Sequence, residues 1–294
     1  MADGPIRDVE ALVGATPIEI ADVAAPWGSA TRTQVVTLAG GERVVLQRGS
    51  RWRGMPRRLR LARLLPQRAP NIPWAELLAG DVTGARSFLV TRFVPGVPGG
   101  EMLWHDREAG VLATQMGRLV PALAAVPTAG LHLFSLWGNP DRLAVFAARW
   151  LARRQPELGP AASAAVARMV DGMAQRLGGD RPVFAHGDFA PVNAILRDGR
   201  IVALLDLERA RLAHPLFDAA WWRLMVRCHH PDRWPAAGPA FFSAAGLVPD
   251  RRVTKQLDLL AVLQCLEMIG SSQPRSPATR ASWAGRLRTL LEWR

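Results

Sequence analysis

Hydrophobic and polar residues alternate with a period of two along much of the first third of the chain, as is typical of half-buried β-strands. A helix is predicted between the third and fourth strands, at about Pro56–Leu65. Gly40-Gly41 marks a tight turn between the second and third strands. The predicted strands are Pro17–Val23, Thr33–Leu38, Arg43–Gln47, Trp74–Leu78 and Ser87–Phe93.

Proline and glycine then interrupt this pattern completely over residues 94–100, a density that is typical of a connector. Beyond the connector, apolar residues recur at three- and four-residue steps, as on the buried faces of helices. The pattern therefore predicts two lobes, the second of them mainly helical. Its helical stripes are Leu112–Val126, Leu143–Leu151, Val166–Leu177, Leu257–Met268 and Ala281–Trp293.

A β-hairpin is predicted where two short apolar runs flank Asp198-Gly199. An Asp-Gly pair in this setting is a strong signal for a two-residue turn. With this turn, Asn193 faces Leu204 across the hairpin, and Asp206 lies two positions further along. The side chains of Asn193 and Asp206 are then expected at the open end of the hairpin, about 7–8 Å apart on the diagonal.

The residues at this open end are suited to holding a divalent cation and an alcohol. Magnesium is typically bound through one or two protein oxygen ligands, with phosphate oxygens and water completing its shell. Asn193 and Asp206 are the candidate ligands. Asp188, in the loop before the first strand of the hairpin, is the candidate carboxylate that orients an acceptor hydroxyl and takes its proton.

The stretch His186–Asn193, followed by Asp206, resembles the catalytic loop of the aminoglycoside phosphotransferase and choline kinase-like family, which are relatives of the protein kinases. Asn193 follows Asp188 by five positions, as in the kinase catalytic loop. Asp206 stands where the metal-binding aspartate of Asp-Phe-Gly would be, with Leu207-Glu208 in place of Phe-Gly.

This resemblance implies an α+β, protein-kinase-like two-lobed fold with ATP or GTP and Mg²⁺ as cofactors. Residues 1–94 would form a small antiparallel-sheet lobe that covers the nucleotide. Residues 95–100 would be the hinge. Residues 101–294 would form the larger, mainly helical lobe with the catalytic loop and the acceptor site.

The same resemblance places the nucleotide against the small antiparallel-sheet lobe. A loop containing Gly28, Ser29 and Thr31 would cover the phosphates with backbone N–H groups, although a plain strand connection is an alternative. Backbone groups at the end of the fifth strand would meet the base. These residues are Arg92, Phe93 and Val94.

The third strand departs from the kinase pattern. Protein kinases carry a phosphate-binding lysine there, paired with a glutamate on the next helix. This chain has Gln47 and Arg48 instead, and strand alternation allows only one of them to point into the cleft. Arg48 is favoured for its charge, with Gln47 as the alternative. The helix at Pro56–Leu65 has no glutamate, so the usual ion pair cannot form from this segment.

Three more polar residues near the loop receive other roles. His186 is predicted to be a buried hydrogen-bonding brace. Asp218, where the family's following helix starts, is expected to be a helix N-cap or a loop anchor. Glu208 either contacts a second metal or is solvated.

Cys228-His229-His230 is not expected to bind a metal, because adjacent helical residues point in different directions.

Charge adds two alternatives. The net charge is +12, Lys255 is the only lysine, and Arg43–Arg68 is the densest basic run, without an acidic residue. Such a run indicates a nucleic-acid or membrane surface, phosphate binding, or a solvated surface. A solvated surface is favoured for most of these arginines, with one or two binding phosphate.

No secretory signal, membrane span or cysteine-rich metal site is expected. The first residues include acids and lack an apolar run, and no apolar segment approaches the ~18 residues that span a bilayer. Cys228 and Cys265 are the only cysteines. A cytoplasmic protein without a membrane partner is therefore expected.

The sequence predicts a kinase that phosphorylates a hydroxyl of a small molecule such as an antibiotic, sugar, nucleoside or amino alcohol. From Pro215 onward there are 11 basic and 6 acidic residues, a balance that does not favour a polycationic acceptor. One alternative is a catalytically weak nucleotide-binding regulator, because the lysine and glutamate are missing. A nucleic-acid-binding protein is ranked last, because no base-reading motif is present.

Overall fold

The computed structural model describes residues 14–23, 32–49, 54–82, 87–103, 106–270 and 276–293. A sheet-containing region comes first, and a larger, mainly helical region follows it. This arrangement is the α+β architecture that the sequence pattern predicts. Among the described residues, no helix combines the length and the apolar character that a bilayer crossing requires.

The first region is built on a five-stranded antiparallel sheet, in which the third strand along the chain is central and the fourth lies at the edge beside the fifth. Its strands are β1 (Pro17–Asp22), β2 (Arg32–Leu38), β3 (Arg43–Gly49), β4 (Leu77–Asp81) and β5 (Ser87–Arg92). One face of the sheet carries an apolar cluster formed by Val36, Leu38, Val44, Leu46, Phe88 and Val90. Alternation of the strand side chains leaves the other face for a helix and a cleft.

Strand β4 begins three residues later than predicted. Trp74, the first residue of the predicted strand, instead forms an isolated parallel bridge with Leu204. The amide of Leu204 donates to the carbonyl of Pro73 at 2.7 Å. This short segment therefore joins the sheet region to the hairpin at Leu204 before β4 starts.

Helix α1 (Met55–Arg68) packs against the cleft side of the sheet. Met55 and Leu59 form a small apolar cluster with Leu89 of β5. The buried stripe of α1 also includes Arg58, a charged residue among apolar neighbours. This placement brings a guanidinium under the sheet.

The Pro- and Gly-rich connector is more ordered than predicted. Val97-Pro98 forms strand β6, which pairs with Leu196 and Ile195. Helix α2 (Gly99–Met102) follows at once. The expected hinge therefore contributes an edge strand to a second, three-stranded sheet, whose other two strands form the predicted hairpin.

The remaining strands of that sheet are β8 (Ala194–Arg197) and β9 (Arg200–Leu204). Asp198 and Gly199 both have positive φ, 51° and 70°, as a two-residue hairpin turn requires. Next to the turn the register is as predicted, but the pairing then shifts by one residue, so that Ala194 rather than Asn193 faces Leu204. The expected register is wrong at this end because a bulge adds one residue to β9.

The helical region encloses the main apolar core. Two short strands, β7 (Val183–Ala185) and β10 (Arg211–Ala213), pair antiparallel at its edge. The stripe Val166–Leu177 is divided between two helices, because Gly172 interrupts it with a φ of 64°. The helices are α3 (Asp106–Ala124), α4 (Pro140–Leu158), α5 (Pro160–Val170), α6 (Met173–Leu177), α7 (Phe217–His229), α8 (Trp234–Ala244), α9 (Arg251–Gly270) and α10 (Pro277–Glu292).

Candidate active site

A large cleft separates the sheet region from the helical region, with a volume of about 2510 Å³. Single ligand pockets are typically ~300–1,000 Å³, so the cleft has room for two ligands. The sheet contributes Gln47, Leu89 and Thr91 to its wall. The helical region and the hairpin contribute Asp188, Asn193, Asp206, Glu208, Trp221 and Trp283.

The loop that carries Asp188 turns sharply at Gly187. Gly187 has a φ of 84°, and a Cβ atom there would lie 2.0 Å from the carbonyl oxygen of Arg209. Only glycine accepts both the backbone conformation and this close approach. The loop therefore packs directly against the segment that follows Asp206.

Asp218 holds this loop from below. Its Oδ2 accepts a hydrogen bond from the amide of His186 at 2.7 Å, and its Oδ1 accepts one from the amide of Gly187 at 3.0 Å. Burial raises the pKa of Asp218, and His186 and these two backbone donors oppose that rise. The N-cap position of α7 belongs to Leu216, so Asp218 contacts the loop from within the first turn of the helix.

His186 connects the loop to the end of β9. Its Nδ1 accepts from the amide of Asp188 at 3.3 Å, so Nε2 carries the proton and donates to the carbonyl of Leu205 at 2.8 Å. Burial lowers the pKa of His186, against the raising effects of Asp218 and Asp206. A neutral imidazole with a hydrogen bond at each ring nitrogen fixes backbone positions on both sides of the site.

Asp188 points into the cleft with one oxygen already held. Trp221 on α7 donates from Nε1 to Asp188 Oδ1 at 2.8 Å. Burial raises the pKa of Asp188 and Asp206 adds to the rise, while Arg209, Trp221 and Asn193 oppose it. A buried carboxylate with a raised pKa is a stronger proton acceptor than a solvated one.

Asn193 and Asp206 offer oxygen donors at the mouth of the hairpin. Asn193 donates from Nδ2 to the carbonyl of Asp188 at 2.8 Å, which leaves its Oδ1 as an acceptor. The amide of Leu205 donates to the carbonyl of Asn193 at 2.7 Å, so the two segments are directly joined. Asp206 has an unusual φ of 61° for a residue other than glycine.

This donor set fits magnesium. One carboxylate and one amide oxygen are hard ligands, and Mg²⁺ usually takes one or two protein ligands and shares the rest with phosphates and water. Among the described residues, no group of three or more histidine, cysteine, aspartate or glutamate side chains is arranged to hold a metal alone. His229 and His230 belong to the described residues, and they are not part of such a group.

Glu208 lies close to Asp206 and to the guanidinium of Arg58. Burial raises its pKa and Asp206 raises it further, while Arg58 and Arg209 lower it. Glu208 Oε2 lies 3.5 Å from Arg58 Nη1, and its side chain is 24% exposed. It is therefore partly buried within a cluster of charges.

Gln47, and not Arg48, faces the cleft. Gln47 Oε1 accepts from Arg58 Nη2 at 2.8 Å. Arg48 lies on the opposite face of β3 and donates to Gln34. The expectation that favoured Arg48 is corrected by strand alternation, which places it on the same side as the apolar cluster.

At the end of β5, the backbone N–H groups of two of the three expected base-contacting residues already donate hydrogen bonds within the protein. The amide of Arg92 donates to the carbonyl of Glu76 at 2.9 Å, and that of Phe93 donates to the carbonyl of Arg43 at 3.2 Å. Val94 lines the cleft and forms no backbone hydrogen bond with another described residue. The loop residues Gly28, Ser29 and Thr31 lie outside the described residues, so their contact with phosphates stays a prediction.

Trp221 and Arg58 are two further residues of the site that the sequence did not predict. Arg58 had a visible signal, because it interrupts the apolar stripe of α1 that contains Met55, Leu59 and Leu65. A charge on the buried side of a helix requires a polar partner. The contact of Trp221 with Asp188 spans 33 positions and had no signal in local spacing.

The sheet region, the helical region and the connection between them together form a protein-kinase-like fold, as in structures of aminoglycoside phosphotransferases. The model of the phosphotransferase enzyme family matches residues 23–257. The chain therefore belongs to that family. No curated protein matches it in sequence.

Several solved structures share the fold over nearly the whole chain. The apoenzyme of a macrolide 2′-phosphotransferase from Brachybacterium faecium is 21% identical, with a TM-score of 0.68 and coverage of 97% of this chain and 98% of its own. The GDP complex of aminoglycoside 2′-phosphotransferase-IIIa is 14% identical, with a TM-score of 0.78 and coverage of 97% and 96%. A ternary complex of aminoglycoside phosphotransferase APH(4)-Ia with ADP and hygromycin B is 16% identical, with a TM-score of 0.71 and coverage of 99% and 98%.

Proposed function

We propose that this protein is a kinase that transfers a phosphoryl group from ATP or GTP to a hydroxyl of a small molecule. The observation that carries the proposal is that Asp188, Asn193 and Asp206 all line one cleft between the two regions. Membership of the phosphotransferase enzyme family supports it. Phosphoryl transfer asks a protein mainly for positioning and charge stabilisation, which these groups supply.

Asp188 would orient the acceptor hydroxyl and receive its proton. The Trp221 indole holds Oδ1, which leaves Oδ2 for the hydroxyl. The raised pKa of Asp188, caused first by burial and then by Asp206, favours proton transfer to it. Arg209 lowers that pKa and so opposes part of the rise.

Asn193 and Asp206 would hold Mg²⁺ by their side-chain oxygens. When bound, Mg²⁺ would supply positive charge that neutralises the charge developing on the phosphates. The loop with Gly28, Ser29 and Thr31 would cover the phosphates, and the backbone of Val94 would meet the base. A backbone contact alone does not choose between adenine and guanine, so the donor is proposed as ATP or GTP.

The first test removes the proposed metal ligand and the proposed base separately. Asp206→Ala is expected to abolish magnesium-dependent turnover of ATP and GTP without unfolding the protein. Asp188→Asn is expected to reduce turnover by about 10²–10⁴-fold, the usual contribution of a positioned acid or base, while nucleotide still binds. Turnover, calorimetric binding and thermal unfolding should be measured together, with Asp198→Asn in the hairpin turn as a control outside the cleft.

Wild-type turnover that persists in Asp206→Ala would contradict the assignment. Magnesium-dependent nucleotide binding without turnover of any acceptor, unchanged by Asp188→Asn, would favour the nucleotide-binding regulator instead.

We propose further that the acceptor is uncharged or anionic and not a polycation. Among the described residues, Glu267 is the only acidic member of the cleft wall that α7, α9 and α10 supply, and Arg209 and Arg211 pair with it at 3.0 Å. Burial lowers the pKa of His229 to about 4, so this residue is neutral at pH 7. The wall side chains are Trp221, Met225, His229, Glu267, Met268, Ser276, Ala278, Thr279, Ser282, Trp283 and Arg286.

A phosphotransfer screen tests the acceptor class. Kanamycin and hygromycin B serve as polycations, and uncharged sugars and nucleosides serve as the comparison set, each with ATP and with GTP. The expected kcat/KM is at least about 10-fold lower for the polycations, because no described carboxylate of this wall is left to pair with their ammonium groups. A strong preference for kanamycin would contradict this part of the proposal.

A cytoplasmic location is proposed on two grounds. ATP and GTP are supplied there, and both cysteines, Cys228 and Cys265, are free thiols.

A further inference from the structure

We propose that Arg58 of α1 is the cation that anchors the nucleotide phosphates, and that Gln47 of β3 orients it. This inference rests on the proposed function. It assigns to a helix the positive charge that was expected on the neighbouring strand. The neutral side-chain amide of Gln47 then takes the place of the glutamate that partners the phosphate-binding lysine in protein kinases.

The position of Arg58 is unusual for an arginine. Its side chain is only 4% exposed, yet the residue lines the cleft beside the proposed magnesium site. Gln47 Oε1 accepts from Arg58 Nη2 at 2.8 Å, which fixes one prong of the guanidinium. A buried and oriented guanidinium loses little further conformational entropy when it binds a phosphate in a two-pronged manner.

Two carboxylates, those of Asp206 and Glu208, form ion pairs with Arg58 at the longer end of ion-pair distances. Arg58 Nη2 lies 3.7 Å from Asp206 Oδ1, and Arg58 Nη1 lies 3.5 Å from Glu208 Oε2. Both distances exceed the 2.7–2.9 Å of charge-assisted hydrogen bonds. Both carboxylates therefore attract the guanidinium, at distances longer than a charge-assisted hydrogen bond for these two atom pairs.

Magnesium makes a further anion necessary. If Asp206 binds Mg²⁺, its negative charge is shared with that ion, and the nearby guanidinium then faces a divalent cation. Two cations near one carboxylate repel each other unless anions come between them. Phosphate oxygens that accompany Mg²⁺ supply those anions and satisfy both cations.

The test measures how affinity depends on the number of phosphates. Calorimetric titrations with nucleoside, monophosphate, diphosphate and triphosphate, all with Mg²⁺ and without acceptor, should be run on wild type, Arg58→Met and Arg60→Met. Arg60 is an exposed residue of the same helix and serves as the matched control. Arg58→Met is expected to weaken triphosphate binding by about 10- to 100-fold and to leave nucleoside binding unchanged. Arg60→Met is expected to behave as wild type.

The double variant Gln47→Lys/Arg58→Glu guards against a single variant that fails to fold. It returns the cation to the strand and places an acid on the helix. Its triphosphate affinity is expected to lie within about 10-fold of wild type, whereas Arg58→Glu alone should lose at least about 100-fold. Thermal unfolding without nucleotide shows which variants are folded.

Two results would overturn the inference. One is an Arg58→Met protein that is folded and gains as much affinity per phosphate as wild type. The other is a folded double variant that binds triphosphate no better than Arg58→Glu. Wild-type protein that binds no nucleotide at all would instead overturn the proposed function, and the inference with it.

Discussion

At the scale of single residues, the site depends on the hydrogen bonds that orient the side-chain oxygens of Asp188 and Asn193. Asp188 and Asn193 could be proposed from the sequence, because their five-residue offset resembles that of the kinase catalytic loop. The indole of Trp221 could not be, since it reaches Asp188 only after α7 has packed under the loop. Physical contacts of this kind depend on tertiary structure, and local spacing does not encode them.

The Trp221–Asp188 hydrogen bond leads to a prediction about pH dependence. Trp221→Phe removes the N–H donor and keeps most of the apolar volume. Because this donor lowers the pKa of Asp188, its loss should raise that pKa, and the acidic limb of the kcat/KM profile should move to higher pH. The turnover number should fall by about 10-fold, because the carboxylate loses one fixed oxygen.

Trp222→Phe is the matched control for this experiment. Its indole N–H has no hydrogen-bond partner among the described residues, and its ring stacks on Phe241 with centroids 3.8 Å apart. This variant loses the same atoms but no hydrogen bond to the site, so its pH profile should stay at the wild-type position. Equal shifts in both variants would show that packing, and not the hydrogen bond, controls the profile.

At the scale of elements, the hairpin shows how far local signals reach. Asp198-Gly199 fixes the turn, and the first pairs follow from it. The bulge that changes the register near Asn193 lies where β9 meets Trp74 and where β8 pairs with β6, and both partners come from distant parts of the chain. Connector residues Val97-Pro98 were likewise unpredictable as a strand, because their partner is β8.

A buried ion cluster ties the segment after Asp206 to helix α9. Glu267 accepts hydrogen bonds from Arg209 and Arg211 at 3.0 Å and from Trp137 at 3.3 Å. Burial acts to raise the pKa of Glu267, but Arg211 and Arg209 outweigh it and hold the pKa below its usual range. This cluster therefore stabilises the fold in its charged form.

We expect the stability supplied by Glu267 to be lost in acid. A carboxylate with a depressed folded-state pKa contributes fully above its unfolded pKa of about 4.3, and the contribution disappears as pH falls through the lower folded value. Glu267→Gln should lower the free energy of unfolding by about 2 kcal/mol at pH 7, less than the 3–5 kcal/mol of fully buried pairs, because the side chain is 22% exposed.

Denaturant unfolding of wild type and Glu267→Gln between pH 3 and pH 7 measures this contribution. The difference between the two proteins should shrink towards acid. Glu76→Gln, which breaks the exposed pair with Arg92, is the control and should change stability much less. A Glu267→Gln difference that stays constant down to pH 3 would contradict the expected role of the charge.

At the scale of the whole molecule, the α+β division was predictable because period-two and helical patterns occupy different parts of the chain. The meaning of the +12 net charge was not predictable, because composition does not reveal which arginines have partners. In the basic run, Arg57 donates to backbone oxygens of Glu208 and Ala210, and Arg68 donates to those of Pro127 and Ala129. These arginines connect parts of the fold.

The internal use of these arginines predicts weak, unspecific binding to nucleic acid. Double-stranded DNA and single-stranded RNA of mixed sequence should bind no more tightly than about 10⁻⁶ M at 150 mM salt, which is the range of sequence-independent electrostatic contacts. Fluorescence anisotropy across a salt series is the measurement, and excess Mg²⁺-ATP should leave the curves unchanged. Nanomolar affinity at 150 mM salt with a preferred sequence would mean that the basic surface has a partner of its own. The rival function in nucleic-acid binding would then have to be reconsidered, whatever the chemistry of the cleft.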